Sequence, residues 1–231
     1  KLSREFFEKG DLRNGVLSLR AAIAANPNNL EATRKMAELL GEAQSPAALG
    51  WWRRVVELSP TTEHRVLLAA TGLRVEKPPF QIVTNTLDEL EKSGAETNVA
   101  FHLVASQLAL RLGQTDNAVK HLAEAARLEP TNRLHQLNLA TLQLRHTNSA
   151  TADHARQELE ALVTHPVLSE HALRSLIAES LLKEQHADAE RYSEQLLALP
   201  KARFDDRLQH LTVLESAGSA QTNQWLQQWK T

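Results

Sequence analysis

The sequence contains no cysteine. Disulfide scaffolds, thiolate zinc sites and cysteine redox chemistry are therefore excluded, while reducing and oxidising compartments both stay open. Glycine and proline number only 8 each, and aromatics make up 4 %. That is too little for a collagen-like or low-complexity chain. It also lacks the aromatic runs and Gly-rich turns of a β-sandwich or barrel. No apolar run approaches the ~18 residues of a membrane span. Neither sign of charge dominates. The 26 Lys+Arg and 28 Asp+Glu give a net charge of −2, a poor footing for a protein that must neutralise phosphates. Lys1-Leu2-Ser3-Arg4-Glu5 does not read as a signal peptide. What is abundant is Leu and Ala, together 71 of the 231 residues. Both are strong helix formers, and 42 % apolar content is too high for a disordered chain.

Prolines reveal an internal period. Pro27, Pro60, Pro130, Pro166 and Pro200 lie 33, 70, 36 and 34 residues apart. The double interval lacks one marker, near Ser93-Gly94. Ala25-Asn26-Pro27-Asn28-Asn29, Leu58-Ser59-Pro60-Thr61-Thr62 and Leu128-Glu129-Pro130-Thr131-Asn132 each read as a helix stop followed by a capping residue. Gly10-Asp11 and Gly113-Gln114-Thr115-Asp116 break the period a second time. Each unit thus reads helix, short turn, helix, Pro turn. Ala118, Leu122, Ala125 and Leu128 form a helical stripe. Small residues recur on the first helices at Ala37, Ala70, Ser106, Ala140 and Ala178, where two backbones must approach closely.

This pattern resembles the tetratricopeptide repeat (TPR) family. Gly113, Ala118, Leu122, Ala125, Leu128 and Pro130 carry the motif in the best unit, and Gly10, Asp11, Ala22 and Pro27 in the first. Length divided by a period of about 34 gives about 6.8 units. The expected fold is all-α, a right-handed α-solenoid of about seven TPR-like helix–turn–helix units. Approximate boundaries are 1–27, 28–60, 61–95, 96–130, 131–166, 167–200 and 201–231, all in a single superhelix. Unit three departs at Pro78-Pro79-Phe80, and unit five carries a longer polar turn over His146-Thr147-Asn148-Ser149-Ala150-Thr151. About five residues of the first unit are expected to be absent. Trp225 and Trp229, spaced i, i+4, are expected either to cap the core or to dock onto further repeats. Trp52 is expected in the core and Trp51 at its edge, because adjacent helical positions point about 100° apart.

Catalytic motifs are missing from the sequence. It has no phosphate loop, no Gly-x-Ser-x-Gly elbow and no His-Glu-x-x-His. His146 with His154, His165 with His171, and His186 with Asp188 lack the i, i+3 or i, i+4 spacing of helical metal ligands. No enzyme activity, no metal and no cofactor is expected.

In this family the first helices line a concave face, and the resemblance supplies candidate residues by register. One inward row reads Arg34, Leu67, Leu103, Leu137, Ser175. A second reads Glu38, Thr71, Gln107, Thr141, Glu179, and a third Leu110, Leu144, Leu182. A rim of cations reads Arg74, Arg111, Arg145, Lys183. The functional reading is a groove binding a peptide or helix of a partner, with Leu67, Leu103 and Leu137 as apolar anchors. Arg111 and Arg145 would pair with acidic groups. The competing reading has these Leu packing between neighbouring helices and the cations complementing helix dipoles. The Lys/Asn two-carboxylate clamp of chaperone-adaptor TPR domains is not present at the inward positions. The expected function is a non-enzymatic protein–protein interaction scaffold. The alternative is a regulatory or substrate-presenting segment of a larger enzyme or of a secretion or envelope-assembly machine. The expected partner is a protein or peptide, with no nucleic acid and no membrane insertion. The oligomeric state and the compartment stay open.

Overall fold

The computed structural model describes residues 2–145, 148–200 and 202–218. These residues form thirteen α-helices and one 3-10 turn, with no strand among them. The helices are α1 (Leu2–Glu8), α2 (Leu12–Ala25), α3 (Leu30–Glu42), α4 (Ala48–Leu58), α5 (Thr62–Val75), α6 (Gln81–Lys92) and α7 (Val99–Arg111). They continue as α8 (Thr115–Leu128), α9 (Arg133–Gln143), α10 (Ser149–Leu162), α11 (Ser169–Leu182), α12 (His186–Leu197) and α13 (Phe204–Ser216). They pack in sequential pairs, α1 with α2 through α11 with α12, and α13 packs on α12. Trp225, Trp229, His146 and Thr147 lie outside the described residues. The chain forms two compact units, 1–128 and 129–231.

Local chemistry sets the helix boundaries. Asn29, Thr61, Asn98 and Asn132 precede first helices, and their side chains accept from backbone N–H groups at 3.0–3.2 Å. Such caps satisfy amides that a helix start leaves without partners. Asp11 and Asn148 do the same for α2 and α10. With Asn148 as cap, Ser149, Ala150 and Thr151 are helical, so the expected long polar turn of unit five is shorter than its composition implies.

The turns inside hairpins share one device. Gly10, Gln44, Gly113 and Glu184 all have φ between 53° and 75°. The next residue's N–H then reaches back five residues: Asp11 to Phe6, Ser45 to Leu40, Gln114 to Ala109 and Gln185 to Ser180, at 2.8–2.9 Å. This is the Schellman closure, which satisfies carbonyls left open at a helix end. The Pro78-Pro79-Phe80 turn works differently. Glu76 reaches across it and accepts from the N–H groups of Ile82 and Val83 at 2.9 and 3.2 Å, capping α6. Gly94, at φ 79°, ends α6 where the proline marker is missing.

In unit 1 the first helices α3, α5 and α7 lie side by side, and in unit 2 α9 packs on α11. Close approach inside hairpins uses small residues eight positions past the N-cap. Ala37, Ser106 and Ala140 are buried there as expected. In α5 the buried residue is Ala69, not Ala70. The reason is a shorter turn: Thr61 caps α5 directly after Pro60, whereas Asn29 and Asn132 each follow their proline by two. In α11 Ala178 is exposed and Leu176 occupies the core. Trp52 is buried beside Ala37 and Val55, and Trp51 sits half-buried at the edge of that cluster.

Candidate partner-binding face

The predicted site residues separate into three groups. On α3, Arg34 and Glu38 pair with each other at 3.0 Å. Arg34 also meets Glu63 of α5 at 3.2 Å, and Lys35 meets Glu38 at 3.4 Å. These charges are satisfied by their own unit. Leu137 of α9 and Leu144, its C-cap, are core residues, packed in one cluster with Leu159, Leu173 and Ile177. Thr71 of α5 is also buried, at 2 % exposure. These three placements correct the expected inward rows. The one-residue shift in α5 turns Thr71 inward, and in unit 2 a continuous cluster spanning α9 to α13 takes up the leucines. Thr141 is half-buried and shares a 3.2 Å hydrogen bond with Ser175. Leu67 is half-buried against the Ala37–Trp52 cluster.

The third group is open. On α7, Leu103 is half-buried, Gln107 and Arg111 are exposed, and Leu110 is 43 % exposed. The spacing 103, 107, 110 is one helical stripe. The opposite side of α7 carries Phe101, Val104, Ala105, Leu108 and Ala109, all buried. Sequence alone could not separate these two apolar faces, because α7 is apolar nearly all round. Arg145 is exposed after α9.

Arg74 joins this face from α5. Both Arg74 and Arg111 stand thirteen residues past their N-caps, Thr61 and Asn98. They therefore sit at one height on packed neighbouring helices. The Arg74 guanidinium lies over Gly41 of α3, where a Cβ would stand in ordinary contact at 3.5 Å from Nη2. Arg74 donates a long bond to Thr71 Oγ1 at 3.4 Å.

Elsewhere the polar groups are spent on packing. In unit 2, Arg156 of α10 holds the buried Glu179 of α11, which Lys183 also meets at 2.7 Å. Glu179 therefore serves α10–α11 docking instead of an open inner row. Tyr192 donates to Glu160, and burial followed by this bond pushes the phenol pKa up. In unit 1, His102 Nδ1 lies 3.1 Å from His121 Nδ1, and His102 Nε2 lies 2.8 Å from the Glu96 carbonyl. Burial, then the neighbouring His102, lowers the His121 pKa against a small opposing effect of Glu91. The sequence reading also missed a cavity of about 690 Å³. Phe7, Leu19, Ala22 and Ala32 give it an apolar lining, and Lys35 and Glu38 add charge. It had no signal, since it forms between helices. Among the described residues no helix is long and apolar enough to cross a membrane.

No protein-family model matches the sequence, and no curated protein matches it. Solved structures do. The crystal structure of yeast Tom70 superposes with a TM-score of 0.62 at 19 % identity, over 89 % of this chain and 43 % of that one. The chain has a tetratricopeptide-repeat fold. It spans less than half the length of the Tom70 chain that it matches. Lower likenesses are to PilW, a type IV pilus biogenesis factor (TM-score 0.48, 17 % identity, 98 % of this chain and 88 % of that one), and to the P58(IPK) TPR domain (TM-score 0.27, 14 % identity, 99 % and 82 %). In this repeat fold the open stripe of α7 lies on a first helix, next to α5.

Proposed function

We propose that the protein is a non-enzymatic interaction scaffold that binds a peptide or helix of a partner protein on the α5–α7 face of unit 1. One observation carries this reading: Gln107 and Leu110 stand open in one stripe with the half-buried Leu103, while the other apolar side of α7 is fully used in the core. An apolar stripe with a polar group in its middle suits an amphipathic segment, the leucines taking its anchors and Gln107 bonding its backbone or amides. Of the residues expected at the site, Leu103, Gln107, Leu110 and Arg111 hold this role.

The test is affinity capture from a lysate of the source organism with wild type and with Leu103→Glu/Leu110→Glu. Both positions lie outside the buried core, so stability is expected to shift by no more than about 1 kcal/mol. Proteins recovered by wild type are expected to be lost by the variant. An unchanged set, at unchanged urea midpoint, removes the reading.

A further inference from the structure

We infer that the segment docking on α5–α7 carries carboxylates, which seat on Arg74 and Arg111. This deepens the proposed function and rests on it. The argument is charge complementarity. On α3, α5 and α7 the other arginines already have acidic partners: Arg34 meets Glu38 and Glu63, and Arg65 approaches Glu89 at 3.9 Å. Arg74 and Arg111 form no ion pair among the described residues, and both are exposed. They stand at one height on neighbouring helices, Arg74 leaning over Gly41 of α3. The acid of α3 at that height is Glu42, on the side of α5 away from α7, and no acid of α5 or α7 stands beside the pair. From Val99 to Arg111, α7 contains no Asp or Glu at all. The one acid of α5, Glu63, lies at the far end in the first turn and pairs with Arg34.

The pattern therefore has polarity. Going from Leu103 through Gln107 and Leu110 to Arg111, the surface passes from apolar to cationic. A segment with apolar residues followed by Asp, Glu or its own terminal carboxylate matches both halves. Arginine forks bind carboxylates by paired N–H donation, and they do so best where a neighbouring apolar contact excludes water. A base-flanked segment would place like charges together at this end.

Peptide display on the full chain tests this. Peptides are expected to be enriched for an apolar pair flanked by Asp, Glu or a free C-terminus. Arg74→Ser/Arg111→Ser is expected to weaken these peptides about tenfold or more, and Arg74→Lys/Arg111→Lys to keep most of the acid preference. Retained helical circular dichroism checks the fold of each variant. Peptides that need Leu103 but show no acid bias, or that bind the Ser variant equally well, overturn the inference and leave the proposed function standing. Peptides indifferent to Leu103→Glu, or no enrichment at all, overturn both.

Discussion

Arg174 of α11 grips Asp206 of α13 with both arms of its fork, Nε to Oδ1 at 2.8 Å and Nη2 to Oδ2 at 2.9 Å. Asp206 also accepts from the Arg203 N–H at 2.8 Å, at the start of α13. Its side chain is 2 % exposed and that of Arg174 24 %. One carboxylate thus starts a helix and fastens it to the preceding first helix. Arg174→Met takes the fork from the buried carboxylate, and Asp206→Ala leaves Arg174 with Glu170 alone, at 3.1 Å. Arg174→Met and Asp206→Ala are each expected to lower stability by about 2–4 kcal/mol, read from urea midpoints. The Arg174 bond, and less strongly the Arg203 amide, hold the Asp206 pKa below its ordinary 3.8. A depressed carboxyl stabilises above the unfolded value and loses that contribution as pH falls through the folded one. Acid unfolding of wild type below about pH 4 should therefore be steeper than that of Asp206→Asn.

Trp51 and Trp52 are expected to behave very differently despite being adjacent. Trp52, at 2 % exposure, fills the space between Ala37 and Val55. Trp52→Ala should cost about 3–5 kcal/mol, the range for an emptied aromatic site. Trp51 is half-buried, touching two clusters only at their edges. Its replacement by Ala should cost about 1–2 kcal/mol. Equal losses in thermal unfolding would mean that the helix phase of α4 is wrong.

Much of this architecture was legible in the sequence, for physical reasons. Proline cannot continue a helix, and Asn or Thr just after it can cap the next, so the hairpin boundaries show as spaced markers. Trp52 was placed by helical phase alone. The inner rows were less legible. A single-residue difference in turn length, Thr61 against Asn29, rotates α5 by about 100° and sends Thr71 into the core. Leu137 and Leu144 share the spacing of Leu103 and Leu110, yet only the latter pair stays outside the core. No local pattern separates them, because the difference lies in which helices cover each one. Gly10 and Gly113 announced their turns, whereas Gln44 and Glu184 adopt the same backbone without the glycine that would reveal it.

Two histidines make stability pH-dependent near neutrality. Burial lowers the pKa of His121 and of His210 from 6.5, with Glu194 and Glu190 opposing it weakly at His210. His210 Nδ1 lies 2.8 Å from Ser193 Oγ, in a buried pair. A histidine with a depressed folded pKa binds fewer protons folded than unfolded. Its favourable contribution is therefore intact above 6.5 and is lost as pH falls towards the folded value. The urea midpoint of wild type is expected to drop between pH 7.5 and pH 5.5. His121→Gln/His210→Gln should show a smaller drop over the same interval. The same slope in both proteins would place the titration elsewhere.

The four Schellman turns provide an internal control for backbone strain. Gly10 and Gly113 adopt positive φ without a steric penalty, and a Cβ at either would touch nothing within 4 Å. Gln44 and Glu184, at φ 53° and 56°, adopt it with a Cβ present. The left-handed region costs a side-chain-bearing residue roughly 1–2 kcal/mol. Glycine gives part of this back through its larger entropy in the unfolded chain. Both side chains are exposed, so little packing is lost on removing them. Gln44→Gly and Glu184→Gly are each expected to raise stability by about 0.5–1 kcal/mol. They lie in different units, so their effects should add. Gly113→Ala should destabilise by about 1 kcal/mol through the backbone alone, since its Cβ enters open space. Neutral glycine variants beside a destabilised Gly113→Ala would mean that the Gln44 and Glu184 turns relax in solution to a different closure.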